Sequence, residues 1–322
     1  MHRSLLILGT GALVAASLTA CASTPEPASS TDDTISIVAS TNVYGSIAQA
    51  VGGDLVSVTS LIASSAQDPH SYEASAQDQL AISKAQLVIE NGGGYDPFVD
   101  TLVDASGTKA VVLTASELTE HAESVYDEAE HEEAEAHEGE DDGHGHIEGF
   151  NEHVWYDLAI ADAVAHEIAH LLGDLDQANA ATYESNYEAF SAKLGELEAD
   201  AETLHARLDG QGVAVTEPVP LYLLEGAGLV NETPEAFTEA IEEGSDVPPA
   251  ALQETLALFD SGTVVLLGYN EQTASPETER VREAAEAAGI PVVSFTETLP
   301  DGEDYLSWMK ANLDAIAAAL PE

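Results

Sequence analysis

Four residues of the kinds that bind divalent cations stand close to the ends of apolar, β-branched runs. They are His70 in QDPHSYE, His153 in NEHVWYDL, Glu217 closing VAVTE and Glu297 closing VVSFTE. Two neutral imidazoles and two carboxylates make a plausible shell for a transition metal, since imidazole suits zinc and carboxylate suits harder ions such as manganese. Each residue alone has an ordinary alternative: a lone histidine is more often exposed and polar than a ligand, and a glutamate after a strand is commonly solvated. Location joins them, because ligands of open α/β sheets bind beyond the carboxyl ends of the strands. Asp68-Pro69, just ahead of His70, sets a turn that presents the imidazole.

Two other histidine groups compete. His166-Glu167-Ile168-Ala169-His170 satisfies H-E-x-x-H letter for letter, the pattern that gives metalloproteases two zinc ligands and a general base. No third ligand follows at a familiar distance, so the expectation is a non-enzyme, with a metal-dependent peptidase using these residues as the alternative. Residues 117–148 carry fourteen acidic side chains and five histidines, His121, His131, His137, His144 and His146. That segment lacks apolar periodicity and cannot offset its ordering entropy by burial, so it reads as a disordered acidic loop able to hold borderline cations weakly. A solvated acidic spacer is the other reading of it.

The elements that must position these groups alternate between strand and helix. In the first half, strands are expected at 34–40, 56–62, 87–91 and 110–114, and helices at 42–51, 75–85 and 95–103. Helices follow from 157 to about 172 and over 177–208, the latter long enough to bridge two lobes. The second half repeats the rhythm, with strands at 213–217, 264–269 and 292–297 and helices at 220–225, 249–259, 277–288 and 305–320. The fold class is α/β: two lobes, each a parallel sheet flanked by helices, joined by one long rigid helix. The expected divisions are an N-terminal lobe at 34–175, a linking helix at 176–209 and a C-terminal lobe at 210–322.

Residues 1–21 have a short basic start, an apolar run and small residues before Cys21, the layout of a secretory signal. Leu18-Thr19-Ala20-Cys21 fits the pattern at which bacteria lipidate the cysteine and cleave before it. The expectation is a chain outside the cytoplasm, held at the cell membrane through Cys21 without spanning it. Cys21 is the only cysteine in the sequence, so no disulfide forms within the chain. Residues 22–33 are small, polar and Pro/Ser-rich, and read as a disordered tether. The formal net charge of -51, with only eight Lys and Arg, excludes nucleic acid as a partner and favours cations.

Together TNVYGSIAQAVGGD, SLI with QDPHSYE, VIENGGGYDPF, NEHVWYDL and PVVSFTETLP resemble the zinc/manganese-type solute-binding lipoproteins of bacterial ABC importers. The resemblance runs from about residue 34 to the C-terminus. It implies two α/β lobes with a metal site between them, ligated from the positions of His70, His153, Glu217 and Glu297. The fourth position is commonly Asp in that family and is Glu297 here. It also implies an ABC permease and its ATPase subunit as partners, and a monomer. Glu217 resembles the manganese branch and the histidine loop the zinc branch; softer ions gain more from clustered imidazole, so zinc is the expected cargo and manganese the alternative. Deleting residues 119–148 is expected to spare one tight site and remove weaker ones in a zinc titration; loss of the tight site would contradict the accessory role.

Overall fold

The computed structural model of the chain describes residues 34–64, 67, 69–70, 72–119 and 149–321. The expectations for 1–33, Cys21 included, for the turn residue Asp68, and for His121, His131, His137, His144 and His146 lie outside the described residues.

The first sheet is built from β1 (Ile35–Thr41), β2 (Val56–Ile62), β3 (Leu87–Glu90) and β4 (Val111–Thr114), all parallel in the order β2-β1-β3-β4. Central β1 reads ISIVAST and buries nearly every residue, as a strand covered on both faces must. Edge strand β2 alternates buried and exposed positions over its first half. Helices α1 (Asn42–Gly52), α2 (Ala76–Ile82) and α3 (Phe98–Ser106) return the chain between these strands.

Helices α4 (Leu158–Leu175) and α5 (Ala180–Leu208) pack against each other. The 29 residues of α5 extend about 43 Å and bury Tyr183, Phe190, Leu194, Leu197, Ala201, Leu204 and Leu208, one stripe at three-to-four spacing. A second parallel sheet follows in the order β6-β5-β7-β8, from β5 (Gln211–Val215), β6 (Leu229–Asn231), β7 (Val264–Asn270) and β8 (Val292–Phe295). Its helices are α6 (Leu221–Gly226), α7 (Glu235–Glu242), α8 (Pro249–Ser261), α9 (Pro276–Ala288) and α10 (Tyr305–Ala319).

The strand order reverses direction between β1 and β3 in one sheet and between β5 and β7 in the other. Crevices form at the carboxyl ends of strands at such points. The chain between β8 and α10 is bonded back to the first half. Tyr156 Oη donates to Thr296 O at 2.7 Å, the Asn42 side chain bonds both backbone groups of Leu299, and Tyr305 Oη donates to Trp155 O at 2.7 Å. Residues from both halves share one hydrophobic cluster, including Ile37, Trp155, Leu194, Val215 and Phe295.

After β3 the chain turns through Gly92, Gly93 and Gly94 at φ 71, 65 and 97. A side chain is strained in that region, and a Cβ on Gly92 would meet Thr114 Cγ2 at 2.3 Å. Asp96 closes the turn by accepting from the backbone N–H of Asn91 and Gly92, each at 2.8 Å. The turn carries Tyr95 into the interior at 0% exposure.

Several boundaries differ from the sequence reading. Pro97 is the N-cap of α3, so Tyr95 and Asp96 belong to the turn and not to the helix. β5 stops at Val215 and β8 at Phe295, which puts Glu217 and Glu297 two residues beyond their strands. Glu297 leaves the ladder because its N–H donates to Gln272 Oε1 at 2.7 Å. β6 and α7 were not expected at all: β6 has three residues and α7 eight, and the chain enters α7 through Pro234.

Candidate metal centre

His70 follows β2, and its Nε2 lies 3.4 Å from Glu297 Oε2, so the loops after β2 and β8 meet at one point. His153 precedes the 3₁₀ turn Val154–Tyr156 and is fully buried. Both its backbone N–H and its Nδ1 face Asn151 Oδ1, at 3.1 and 2.8 Å. An amide oxygen only accepts, so Nδ1 carries the proton in this contact. The Asn151 amide is oriented by its Nδ2, which donates to Pro218 O at 3.1 Å beside Glu217. The two imidazole rings stand 5.8 Å apart between centroids, with Tyr95 at 5.0 Å from His70 and 5.7 Å from His153. Aromatic rings thus hold both imidazoles away from water.

Asn270, the last residue of β7, organises the carboxylates. Its Nδ2 donates to Glu217 Oε2 and, at 2.8 Å, to Glu297 Oε1. Thr273 Oγ1 adds a 2.5 Å bond to Glu217 Oε2, and Tyr95 Oη donates to Glu297 Oε2 at 3.2 Å. Glu217 Oε1 is buried and has no hydrogen-bond partner among the described residues. The structure therefore brings His70, His153 and Glu297 to one locus and holds Glu217 beside Glu297 through Asn270.

A further carboxylate, which sequence reasoning missed, is Glu242 at the end of α7. One ligand atom from each of His70, His153 and Glu242 lies within 4.8 Å of the others. Glu242 Oε1 is 3.7 Å from His153 Nδ1. Its helix buries Phe237, Ala240 and Ile241 and is followed by Gly244 at φ 62, but over eight residues the apolar spacing is too short to mark a helix in the sequence. Glu152, beside His153, is also buried at 2% exposure.

These charges perturb one another strongly. Burial by itself would lower the His70 value, but the Glu297 hydrogen bond and charge, with Glu152 and Glu242, raise it to about 10. Burial opposes ionisation of Glu297, yet His70, His153 and Asn270 hold its carboxyl down to about 2. Burial, then Glu152, push Glu242 up to about 9, and burial, then Glu297, push Glu217 up to about 7. The arrangement holds protons where a cation of higher charge could replace them.

The H-E-x-x-H residues sit elsewhere, on α4. His170 is 61% exposed and pairs with Glu167 across 3.5 Å, while the His166 ring packs on Tyr187 at 5.0 Å. Among the described residues no third metal-binding side chain joins them.

A family model described as ZnuA, zinc-uptake complex component A, periplasmic, matches residues 37–319. The chain is 25% identical over 316 residues to a manganese ABC transporter substrate-binding lipoprotein, scaA, of Streptococcus gordonii, covering 94% of each. It is 27% identical over 319 residues to the iron ABC transporter substrate-binding lipoprotein MtsA of Streptococcus pyogenes serotype M1, again covering 94% of each. Among solved structures, a mutant of the laminin-binding adhesin Lmb from Streptococcus agalactiae shares the fold. Its TM-score is 0.69 at 20% identity, over 89% of this chain and 100% of that one.

Replacing Asn270 by Ala removes its donated bonds to both Glu217 and Glu297. Bonds to charged groups contribute about 1.5–3 kcal/mol each, so chelator-treated protein is expected to lose about 3 kcal/mol in urea unfolding. An unchanged midpoint would contradict the bridging role.

Proposed function

We propose that this chain, which belongs to the ZnuA family of zinc-uptake components, is the extracytoplasmic substrate-binding component of a metal ABC importer, with zinc as its cargo. The observation that carries the proposal is the meeting of His70, His153 and Glu297, three residues far apart in sequence, in a buried locus lined by aromatic rings. His70, His153, Glu217 and Glu297 are the residues assigned to the ion. Two imidazoles with carboxylates match the donor sets of zinc sites. On this reading Cys21 carries the lipid that holds the protein at the membrane. The histidines at 121, 131, 137, 144 and 146 gather cations near the site, and the permease and its ATPase subunit receive the ion. Residues 34–175 and 210–322 act as the two lobes, with 176–209 as the link between them.

Manganese is the second reading. The carboxylates around the imidazoles are hard donors, and similar chains are named for manganese and iron. Zinc stands first because its affinity for nitrogen and oxygen sites exceeds that of manganese in the general order of divalent metals. That order decides the outcome when both ions compete for one site.

The test is native mass spectrometry of stripped protein lacking residues 1–21, offered zinc and manganese together. One retained zinc per chain is expected, and none in His70→Ala. One manganese in place of zinc would select the second reading, and unchanged zinc retention in His70→Ala would remove the site assignment.

A further inference from the structure

Helix α7 ends inside the candidate centre. Its last residue, Glu242, contributes one oxygen to a set with His70 and His153 whose members all lie within 4.8 Å of one another. Two donors on one ion with bonds of about 2.0–2.2 Å stand at most about 4.4 Å apart, so a small side-chain shift lets all three bind together. The position is otherwise unfavourable for a glutamate. A helix C-terminus presents partial negative charge, and an anion there is destabilised unless a cation lies near. The helix cannot extend past this point, because the Gly244 N–H bonds Ile241 O at 3.0 Å and the Ser245 N–H bonds Ala240 O at 2.9 Å. Those bonds fix where the Glu242 side chain starts, facing the imidazoles. Its Oε1 is buried and has no hydrogen-bond partner among the described residues.

We infer that Glu242 is a fifth protein ligand of the transported ion and that it sets the balance between harder and softer metals. The inference rests on the proposed metal centre. With His70, His153, Glu217 and Glu297 it makes a shell of two nitrogens and three carboxylates. A four-donor shell meets the tetrahedral preference of zinc. A fifth donor, and a hard oxygen, favours manganese or ferrous iron relative to zinc, since carboxylate suits the harder ions. Glu242 thus broadens the range of ions the site accepts, while zinc still wins direct competition.

Glu242→Gln separates this role from the rest of the centre. Dissociation constants for zinc and for manganese are measured on stripped full-length variants by competition with a fluorescent chelator. Glu242→Gln is expected to weaken manganese binding by about 100-fold and zinc binding by about ten-fold or less. His70→Ala is expected to abolish tight binding of both ions. Unchanged affinities for both ions in Glu242→Gln, or a zinc loss equal to or larger than the manganese loss, would overturn the role of Glu242 while His70→Ala still upholds the centre. Failure of His70→Ala to weaken either ion would instead remove the centre itself. Since glutamine has nearly the size and shape of the carboxyl it replaces, stripped Glu242→Gln should melt no lower than the parent chain, which keeps lost affinity distinct from lost folding.

Discussion

Moving a carboxylate out of water costs several kcal/mol, and folded proteins offset that cost by pairing, hydrogen bonding or protonation. This protein buries Glu152, Glu217 and Glu297 almost completely and Glu242 nearly so, in one interior, beside two histidines. Among the described residues neither Lys nor Arg is buried, and the chain has only eight of them against 59 Asp and Glu. The carboxylates are therefore met by His70, by hydrogen bonds from Asn270, Thr273 and Tyr95, and by protons of their own. A divalent ion answers the same electrostatic demand with more charge at one point, which is why the arrangement reads as a cation site and not as a structural salt-bridge cluster.

The architecture can be understood as the means of assembling that interior from distant sequence. Parallel sheets deliver their loops to one edge, and each sheet has a crevice where its strand order reverses. The first sheet supplies His70 after β2 and Tyr95 after β3; the second supplies Glu217 after β5, Asn270 at the end of β7 and Glu297 after β8. The bonds from Asn42, Tyr156 and Tyr305 fix the chain after β8 against the first half. The Asn151 side chain ties His153 to the backbone of Pro218 in the same way. His153, Glu217 and Glu297 are thus each oriented by an asparagine, Asn151 or Asn270, that is not among the proposed ligands, and such neighbours supply much of the precision of metal sites.

Much of this was legible in the sequence. The buried central strands announce themselves as apolar β-branched runs, and α5 does so by its aromatic and leucine spacing over many turns. His70, His153 and Glu297 could be picked out because each follows or precedes a recognisable element. Glu242 could not, for a physical reason: an eight-residue helix has barely two turns in which to show periodicity, and its leading strand β6 has three residues. The exits of β5 and β8 were placed too late because a β-branched run continues in Thr216 and Thr296. It is the side chain of Gln272, not the composition of the run, that diverts the backbone of Glu297. The roles of Asn270 and Asn151 were invisible as well, since a lone asparagine gains meaning only from what the fold sets beside it.

The central claim is that an ion takes the place of protons held among buried histidine and glutamate side chains. Near pH 7 the raised values of His70 and Glu242 keep both protonated, whereas ligation needs them bare. Binding must then expel protons, and affinity must rise as pH rises toward those values; Glu297, already ionised, contributes none. The direct measurement is calorimetric titration of stripped protein with zinc near pH 7 in buffers of different ionisation enthalpy. The account predicts release of roughly one proton or more per ion bound, with affinity increasing between about pH 6 and 8. Binding without proton release, at an affinity constant over that interval, would contradict it.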